Sequence, residues 1–429
     1  MTETTKKTGV SRRTLLKSTA GLAGLAAGSG AITGFPYVKS ADAKVLRYLG
    51  TAVNEGDDIS KQCLKDTGIK IEYITATTDD VTKRVMTQPN SFDVLDTEYF
   101  SLKKLVPSGN ILALDARKIK EFDNITPVFT KGETPGGKKI GNQGTAPWKV
   151  LYLEGKDSKK FATSATEFVT LIPTVYNADT LGIRPDLIKR PINSWSELLN
   201  PEFKGKASIL DISSIGIMDA AMVCESMGEI KYGDKGNMTK EEIDKTMAIF
   251  TEAKKAGQFR AFWKTFDESV NLMASGEVVI QSMWSPAITA VKTRGIPCVY
   301  QPLAEGYRSW GGGLGLSKAL TGLELEAAYE YINWYLSGWV GGYLMRQGYY
   351  SAVPETSKAF MTENEWGYWY EGKAATGDIV SPTGDKLAST GDVRDGGSYD
   401  ERMGKVACWN SVMDENQYMV RKWNEFIAA

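Results

Sequence analysis

From residue 45 onward, the chain alternates between short apolar runs and amphipathic stretches. Residues 45–49 and 93–96 have the pattern of buried strands, and residues 69–74 alternate apolar and polar positions as a half-buried strand does. Between the strands predicted at 45–49 and 69–74, residues 57–67 repeat apolar positions at helical spacing. This succession of strand, helix and strand predicts an α/β fold with a largely parallel sheet.

The same alternation continues to the C-terminus. Residues 168–177 form an apolar, β-branched run, and this run predicts a strand that connects two lobes. Residues 356–407 are polar and rich in turn-forming residues. Further strands are predicted at 207–211 and 277–284, and further helices at 239–257, 285–292, 323–336 and 418–427.

The first 43 residues have the three parts of a twin-arginine signal peptide. Arg12 and Arg13 precede a weakly apolar run at residues 21–27, and Ala41-Asp42-Ala43 is a small-x-small cleavage site. This order predicts export to the periplasm and cleavage near Ala43. The apolar run is too short to span a bilayer, and no later stretch is long and uncharged enough, so no membrane insertion is expected after cleavage.

Length and charge narrow the class of protein. Removal of residues 1–43 leaves a chain longer than a single hydrophobic core usually serves, which predicts two domains. The net charge of the remaining chain is near −5. Because nucleic-acid binding depends on neutralising phosphates with Lys and Arg, a weakly acidic chain is not expected to bind nucleic acid.

The residue types that are absent or scarce exclude several kinds of chemistry. The chain has no histidine, which rules out a His-based triad, a histidine zinc site and an imidazole general base. Its four cysteines form no CxxC pair, so a metal cluster is not expected, and disulfides and buried free thiols both remain open. No catalytic residue, metal or cofactor is predicted. The cysteines are Cys63, Cys224, Cys298 and Cys408.

Six short motifs occur in an order similar to that of one known family. They are Asp66–Ile71, Phe92–Leu95, Asn193–Lys206, Ser275–Val279, Met283–Ser285 and Gly348–Pro354. In these motifs the chain resembles the periplasmic spermidine/putrescine-binding proteins, within the type II solute-binding proteins of ABC importers. The part from Trp195 to Lys206 is the most specific. The resemblance covers the chain after residue 43 except for about 356–407.

The resemblance implies an α/β fold with two lobes, each a mixed, mostly parallel sheet flanked by helices. Two crossing strands, near Thr170–Tyr176 and near Tyr307–Gly313, would join the lobes as a hinge. The ligand would lie in the cleft between the lobes, where strand ends and helix N-termini converge. The expected boundaries are residues 44–172 plus 312–356 for the first lobe, and 173–311 plus 357–429 for the second.

The family holds polyamines with aromatic side chains and carboxylates. This chemistry suits protonated amines that are joined by methylene groups. Carried over by position, the resemblance implies ligand-binding side chains at Glu98, Tyr99, Asp211, Trp284, Trp310 and Tyr349. Asp96, Phe100 and Tyr350 are further candidates beside them.

Three positions depart from the pattern of the family. Thr51 and Asn54 stand where aromatic residues are expected after the first strand, and Gly312 stands where a carboxylate is expected after the return-crossing tryptophan. An unpaired buried charge is costly, so a bound polyamine would need another acid in place of the carboxylate that is missing at Gly312. Asp96 and Glu98 are the candidates for this role.

Two other functions remain open. The same fold would bind an anionic or zwitterionic organic solute, such as an aminophosphonate or a betaine, through the helix-starting Ser213 and Ser285 together with Arg308. An exported enzyme is the remote alternative, although no cofactor fingerprint or GxSxG elbow occurs. The expected partners are a small-molecule ligand and the membrane permease of an ABC transporter, with the protein acting as a monomer.

Overall fold

The elements of the fold follow the predicted alternation of strands and helices. The computed structural model describes residues 44–429, and the predicted signal peptide at residues 1–43 lies outside the described residues. The strands are β1 Lys44–Gly50, β2 Ile69–Thr75, β3 Val94–Glu98, β4 Leu114–Asp115, β5 Gln143–Gly144, β6 Phe168–Val169, β7 Ile172–Ile183, β8 Ala207–Leu210, β9 Phe259–Trp263, β10 Ile280–Met283, β11 Val299–Tyr300, β12 Tyr307–Leu316, β13 Tyr350–Ser351, β14 Ile379–Val380, β15 Lys386–Ala388 and β16 Val406–Trp409. The helices are α1 Asp57–Thr67, α2 Thr78–Thr87, α3 Leu102–Ser108, α4 Pro127–Thr130, α5 Ser213–Ser226, α6 Lys240–Lys255, α7 Phe266–Ser275, α8 Ser285–Thr293, α9 Gly322–Leu336, α10 Trp339–Met345, α11 Pro354–Lys358, α12 Glu363–Trp369, α13 Tyr399–Met403 and α14 Asn416–Ala428. Within residues 44–429, no helix combines the length and the apolar character that crossing a membrane requires.

A mixed sheet runs through the molecule in the strand order β2-β1-β3-β12-β7-β10-β8-β9. At one end of the sheet, β2, β1 and β3 are parallel. Helix α1 forms the crossover from β1 to β2, as a parallel pair requires. The helix predicted over residues 57–67 is confirmed at both bounds. Gly68 ends the helix because it adopts the left-handed conformation at φ 72°.

The other end of the sheet repeats this arrangement with later strands. Strands β10, β8 and β9 are parallel to one another. Strand β10 is antiparallel to β7, just as β3 is antiparallel to β12. Helix α5 packs against β8 and against the C-terminal helix α14. Both ends of the sheet are therefore mixed and mostly parallel, as expected for the two lobes.

Two long antiparallel strands, β7 and β12, connect the two ends of the sheet. Their register pairs Asp179 with Arg308 and Pro173 with Gly313. Strand β12 extends into the first end by pairing with β3, and β7 extends into the second end by pairing with β10. The two predicted crossing strands are therefore confirmed. Strand β7 begins later than predicted and continues to Ile183, so the connection is longer than its apolar run indicates.

The parallel strands of both ends finish near the middle of the two long strands. Strand β3 ends at Glu98, which lies beside Gly312 of β12. Strand β10 ends at Met283, which lies beside Thr180 of β7. Because functional loops in open α/β sheets follow the carboxyl ends of the strands, side chains from both ends of the sheet converge at this point.

Two hydrophobic cores meet along β7. Ala178 belongs to the larger core, which contains residues of β1, β3 and α9 and also of α7, α8 and β11, whereas Leu181 belongs to a smaller core around β8, α5 and α14. The larger core therefore continues from the first end of the sheet into the second along the two long strands.

The segment between α11 and β16 is more regular than its polar, turn-rich sequence indicates. It contains α12, α13 and the β14-β15 pair, and its aromatic residues form a small core with Met345 of α10. Trp366 and Trp369 are buried in this core. Their large apolar area stabilises a segment whose other residues are mostly polar.

The four cysteines are buried free thiols, which answers the question that the sequence left open. Burial raises the pKa of Cys298 and of Cys408 to about 12. A thiol with a raised pKa carries little thiolate at neutral pH and is therefore a weak nucleophile.

Candidate functional site

Four carboxylates lie on β3, on β7 and in the segment after β1, and we call them the carboxylate row: Glu55, Asp96, Glu98 and Asp179. Burial is the largest cause that raises the pKa of Asp96 and of Glu98, and the charges of Glu55 and Asp179, respectively, add to it. Neighbouring like charges oppose ionisation unless a positive charge joins them. Among the residues that the structure describes, no group of three or more acids or cysteines is arranged to hold a metal ion.

Asp96 lies at the centre of the row and is 3% exposed. Burial raises the pKa of Asp96 to about 7, the side-chain amide of Asn54 opposes this shift, and Glu55 adds to it. The Oδ2 atom of Asp96 is buried and accepts no hydrogen bond of good geometry within 44–429, although the neutral side chains of Asn54 and Tyr48 lie close enough to oppose the rise of its pKa. A carboxylate in this position gains strongly from a ligand that supplies a positive charge or a hydrogen-bond donor.

Glu98 lies at the end of β3 and keeps partial exposure. Its Oε2 accepts a hydrogen bond from the side-chain amide of Asn410 at 3.0 Å. Burial raises the pKa of Glu98 to about 7, although the Asn410 hydrogen bond and the charge of Arg308 both oppose the shift. Glu98 therefore has a neutral hydrogen-bond partner, and the charge of Arg308 acts on it without forming an ion pair.

Arg308 brings a positive charge to the row but shares it with acids of the protein. Its Nε donates to Asp219 Oδ1 at 2.6 Å, its Nη1 lies 3.4 Å from Asp179 Oδ2, and Nη1 also donates to Asn410 Oδ1 at 2.9 Å. Burial lowers the pKa of Arg308, but the two acids outweigh this and hold the pKa above its ordinary value. The prediction that Arg308 binds a ligand carboxylate is corrected, because the guanidinium is buried and already paired.

Two aromatic side chains stand beside the row. Trp310 of β12 is partly exposed, and the centre of its ring lies 6.0 Å from that of Tyr349 in an edge-to-face arrangement. Burial and the charges of Asp179 and Asp96 raise the pKa of Tyr349, so its hydroxyl lies near both acids. The structure thus brings Trp310 and Tyr349 together with two acids of the row, as a cation-binding site requires.

A second group of predicted residues lies at the ends of β8 and β10. The rings of Trp284 and Trp263 meet edge to face with centres 4.7 Å apart. Asp211 accepts a hydrogen bond from Trp423 Nε1 at 2.7 Å and lies 3.2 Å from Lys264 Nζ. Trp284 and Asp211 keep partial exposure. Asp211 differs from the carboxylate row because Lys264 already neutralises its charge.

The two helix starts that were predicted to favour an anion differ in access. Helix α5 begins at the partly exposed Ser213, and its N-cap residue Ile212 forms no side-chain cap. Helix α8 begins at Ser285, which is buried and followed by Pro286. The unmatched amides of a helix N-terminus attract anions, and the start of α5 is the more accessible of the two.

Three aromatic residues predicted as ligand contacts are buried in the protein instead. The hydroxyl of Tyr99 donates to the carbonyl of Leu171 at 3.2 Å, and its ring packs on Phe129. Phe100 is 4% exposed. Tyr350 lies with its ring centre 4.8 Å from that of Tyr399. Their predicted role is corrected, because each ring is enclosed by other side chains of the protein.

Several polar residues of the site were not assigned to it from the sequence. Asn54, noted there only as a departure from an expected aromatic residue, is fully buried, and its Oδ1 accepts a hydrogen bond from the Tyr335 hydroxyl at 2.6 Å. Asp179 is the one acid of the buried strand β7, and Asp219 is the one buried acid of α5. An acid within a segment of buried-strand or buried-helix pattern was the available signal, because a buried acid needs a partner or a function.

The comparison with known proteins gives the class to which this site belongs. The family model of bacterial extracellular solute-binding proteins matches residues 58–366. The chain belongs to this family. The family consists of proteins that bind solutes for transport and not of enzymes.

Individual relatives agree with this family. The spermidine/putrescine-binding periplasmic protein of Escherichia coli (strain K12) is 23% identical over 278 residues, which cover 64% of this chain and 67% of that protein. A putative spermidine/putrescine ABC transporter from Listeria monocytogenes superposes with a TM-score of 0.61 at 13% identity, over 90% of this chain and 99% of that one. PBP AgtB from A. tumefaciens R10, in complex with agropinic acid, superposes with a TM-score of 0.57 at 14% identity, over 90% and 99%. At these identities the structural likeness shows the two-lobed fold.

Proposed function

We propose that this solute-binding protein captures a small organic cation of the polyamine class between its two lobes and delivers it to an ABC importer. The observation that supports the cation is the charge of the carboxylate row. Asp96 and Glu98 have no ion-pair partner among the described residues, and Arg308, which lies nearby, is paired with Asp179 and Asp219. A protonated amine supplies the missing charge, and the relative in E. coli is a spermidine/putrescine-binding protein.

In this proposal, one ammonium group of the ligand binds between Asp96 and Glu98. The methylene groups next to it pack against Trp310 and Tyr349, whose faces also attract the charge. Binding stabilises the closed form by as much as the ligand favours it over the open form, and β7 and β12 act as the hinge. No covalent step is involved.

The proposed lobes are residues 44–172 plus 312–356 and residues 173–311 plus 357–429. The passage of β7 and β12 from one end of the sheet to the other supports a boundary on these strands. The closed face of the two lobes is the proposed contact with the membrane permease, and the protein acts as a monomer. Light scattering on the purified protein, with and without ligand, tests the monomer, since a mass of twice that of the single chain would exclude it.

Calorimetric titration of the purified protein with putrescine, spermidine, γ-aminobutyrate, a betaine and an aminophosphonate tests the choice of ligand. The proposal predicts heat with the two polyamines and a weaker response or none with the others. Binding of the betaine or the aminophosphonate without polyamine binding would keep the solute-binding function and reject the organic cation.

A zwitterionic ligand is the second candidate, and the start of α5 favours it. Ser213 is partly exposed there, and the helix has no side-chain cap. A ligand with an ammonium group at one end and a carboxylate at the other would then join the carboxylate row to the α5 amides. Replacing Ser213 with proline removes one of these amides. This substitution weakens a zwitterion but leaves a polyamine unaffected.

The proposed location is the periplasm, reached through the twin-arginine route with cleavage near Ala43. Arg12 and Arg13 before an apolar run support this route. Replacing both arginines with lysine is expected to leave the precursor in the cytoplasm, whereas replacing Lys6 and Lys7 with arginine is expected to leave export intact. Cell fractionation measures both, and export of the first variant would point to another route.

A further inference from the structure

A small cavity lies between α8 and the segment that follows α12, apart from the carboxylate row. We call it the arginine cavity, and its volume is about 30 Å³. This volume admits one or two water molecules or a single small ion. Its lining includes Thr289, Lys292, Trp369, Arg394, Asp395 and Arg402. The two arginines come from the segment 356–407, which lies outside the sequence resemblance to the polyamine-binding family.

The charges that line the arginine cavity do not balance. Lys292 Nζ lies 2.7 Å from Asp395 Oδ2, so these two side chains neutralise each other. Arg394 and Arg402 have no carboxylate within ion-pair distance among residues 44–429. Both arginines are buried. The side chains that line the cavity therefore carry an excess of two positive charges, and Asp179, whose carboxylate the charge of Arg402 stabilises, is not part of that lining.

Several buried hydrogen-bond donors around the cavity lack an acceptor, and the hydroxyl of Tyr300 in the same lining also lacks a partner within the described residues. Arg394 donates through its Nη atoms to the carbonyls of Trp369 and Gly348. The Nε and Nη2 atoms of Arg402 and the Nε1 atom of Trp369 are buried and have no acceptor within the part of the chain that the structure describes. Buried donors without acceptors are costly, and here they belong to the residues that line one cavity.

Aromatic rings stabilise the two arginines only in part. The guanidinium of Arg402 lies 4.4 Å from the ring centre of Tyr300, and that of Arg394 lies 4.7 Å from the ring centre of Tyr350. Burial and the nearby Arg402 lower the pKa of Arg394 to about 10, which shows that the two charges still repel each other. A ring face compensates a charge but accepts no in-plane N–H hydrogen bond from the guanidinium edge.

We propose that the arginine cavity binds one small inorganic anion, of the size and charge of chloride. The anion accepts hydrogen bonds from the unpaired N–H groups of Arg402 and Trp369 and neutralises part of the excess positive charge. It thereby ties the segment after α12 to α8 and to Gly348, directly before Tyr349 of the ligand site. A water molecule would satisfy the donors but would leave the charge uncompensated.

Thermal unfolding of the ligand-free protein in chloride and in gluconate at equal ionic strength tests the proposal. Gluconate is too large for the cavity, whereas chloride and bromide fit. An anion that binds only the folded state raises the melting temperature with the logarithm of its concentration. We expect this rise for chloride and bromide, and about a tenfold loss of apparent halide affinity in Arg402→Gln. Arg421→Gln is the matched control, because Arg421 is mostly exposed on α14.

Bromide in crystals of the unaltered protein gives an answer that does not depend on any variant. We expect an anomalous peak within hydrogen-bonding distance of Arg402 Nε or Nη2. A cavity that shows only water density at high bromide, together with equal melting temperatures in chloride and gluconate, would overturn the proposal. Both measurements are made without polyamine, so their outcome is independent of the proposed ligand.

Discussion

Asp96 and Asp211 are acids near the carboxyl ends of parallel strands at opposite ends of the same sheet, yet their surroundings differ. Asp211 accepts a hydrogen bond from Trp423 and lies 3.2 Å from Lys264. Asp96 is 3% exposed, and its neighbours in the carboxylate row are other acids. The position of an acid on a strand therefore does not determine whether it can gain from binding a cationic ligand. The presence or absence of a compensating positive charge from the protein determines this.

The difference has a direct consequence for recognition. An acid that already has a cation gains little from a second one, because its charge is screened and its hydrogen bonds are satisfied. A buried acid without a cation gains much, because the ligand relieves a desolvated charge. We therefore expect the energy of cation binding to come mainly from the side of the cleft that contains Asp96 and Glu98.

The largest expected effect is that of Asp96→Asn. Loss of a buried charge partner should weaken polyamine binding about a hundredfold. The same change removes an uncompensated buried charge, so the free energy of unfolding of the ligand-free protein at pH 8 should rise by about 2 kcal/mol. Calorimetric titration and urea unfolding measure the two quantities.

The opposite signs of these two effects separate recognition from folding. A variant that binds weakly because it is misfolded would lose stability rather than gain it. Asp157→Asn is the matched control, because Asp157 is 82% exposed in its pair with Lys318. It should change neither quantity measurably. Unaltered polyamine affinity in Asp96→Asn would remove Asp96 from the site.

The second effect is a dependence of stability on pH. The pKa values of Asp96, Glu98 and Asp179 are raised to about 7 in the folded protein, so the folded state holds more protons than the unfolded state between about pH 4 and pH 7. Stability from this source is present at low pH and is lost as the pH rises through 7.

Urea unfolding between pH 4.5 and 8 measures this loss, which we expect to exceed the gain of about 2 kcal/mol in Asp96→Asn, because three acids contribute to the free energy of unfolding of the ligand-free protein. Saturating spermidine supplies positive charge, lowers the pKa values of the row and should remove the loss. For the same reason, spermidine affinity should increase from pH 6 to pH 8. An affinity that decreases over this range would contradict recognition by these acids.

The third effect concerns the aromatic wall. Trp310→Ala should weaken polyamine binding about tenfold, because the ligand loses an aromatic face and an apolar wall. Trp310→Phe should recover part of this loss. Trp339→Ala serves as the control on α10, where Trp339 stacks on Tyr343. Equal losses in Trp310→Ala and Trp339→Ala would indicate a general effect of removing a tryptophan.

The smallest effect is expected at the other acid. Asp211→Asn should change polyamine affinity by less than about threefold, because Lys264 already compensates Asp211. Lys264→Gln frees the charge of Asp211 and should strengthen binding slightly. A large loss of affinity in Asp211→Asn would move the site to the ends of β8 and β10 and would reverse the comparison between the two acids.

Much of the fold was predictable because it depends on local patterns. Helix α1 ends where Gly68 follows it, and the apolar run before Asn177 predicts the first crossing strand. The site was less predictable, because the partners of an acid are set by tertiary contacts. Asp211 and Lys264 directly follow the neighbouring parallel strands β8 and β9, which are far apart in the sequence, and Arg308 and Asp219 are still farther apart.

The cation site is tested most directly by a crystal structure of the protein with spermidine. The account predicts an ammonium nitrogen within about 3 Å of a carboxylate oxygen of Asp96 or Glu98, with the methylene chain against Trp310. An ammonium group bound at Asp211, or a ligand that avoids the carboxylate row altogether, would contradict it.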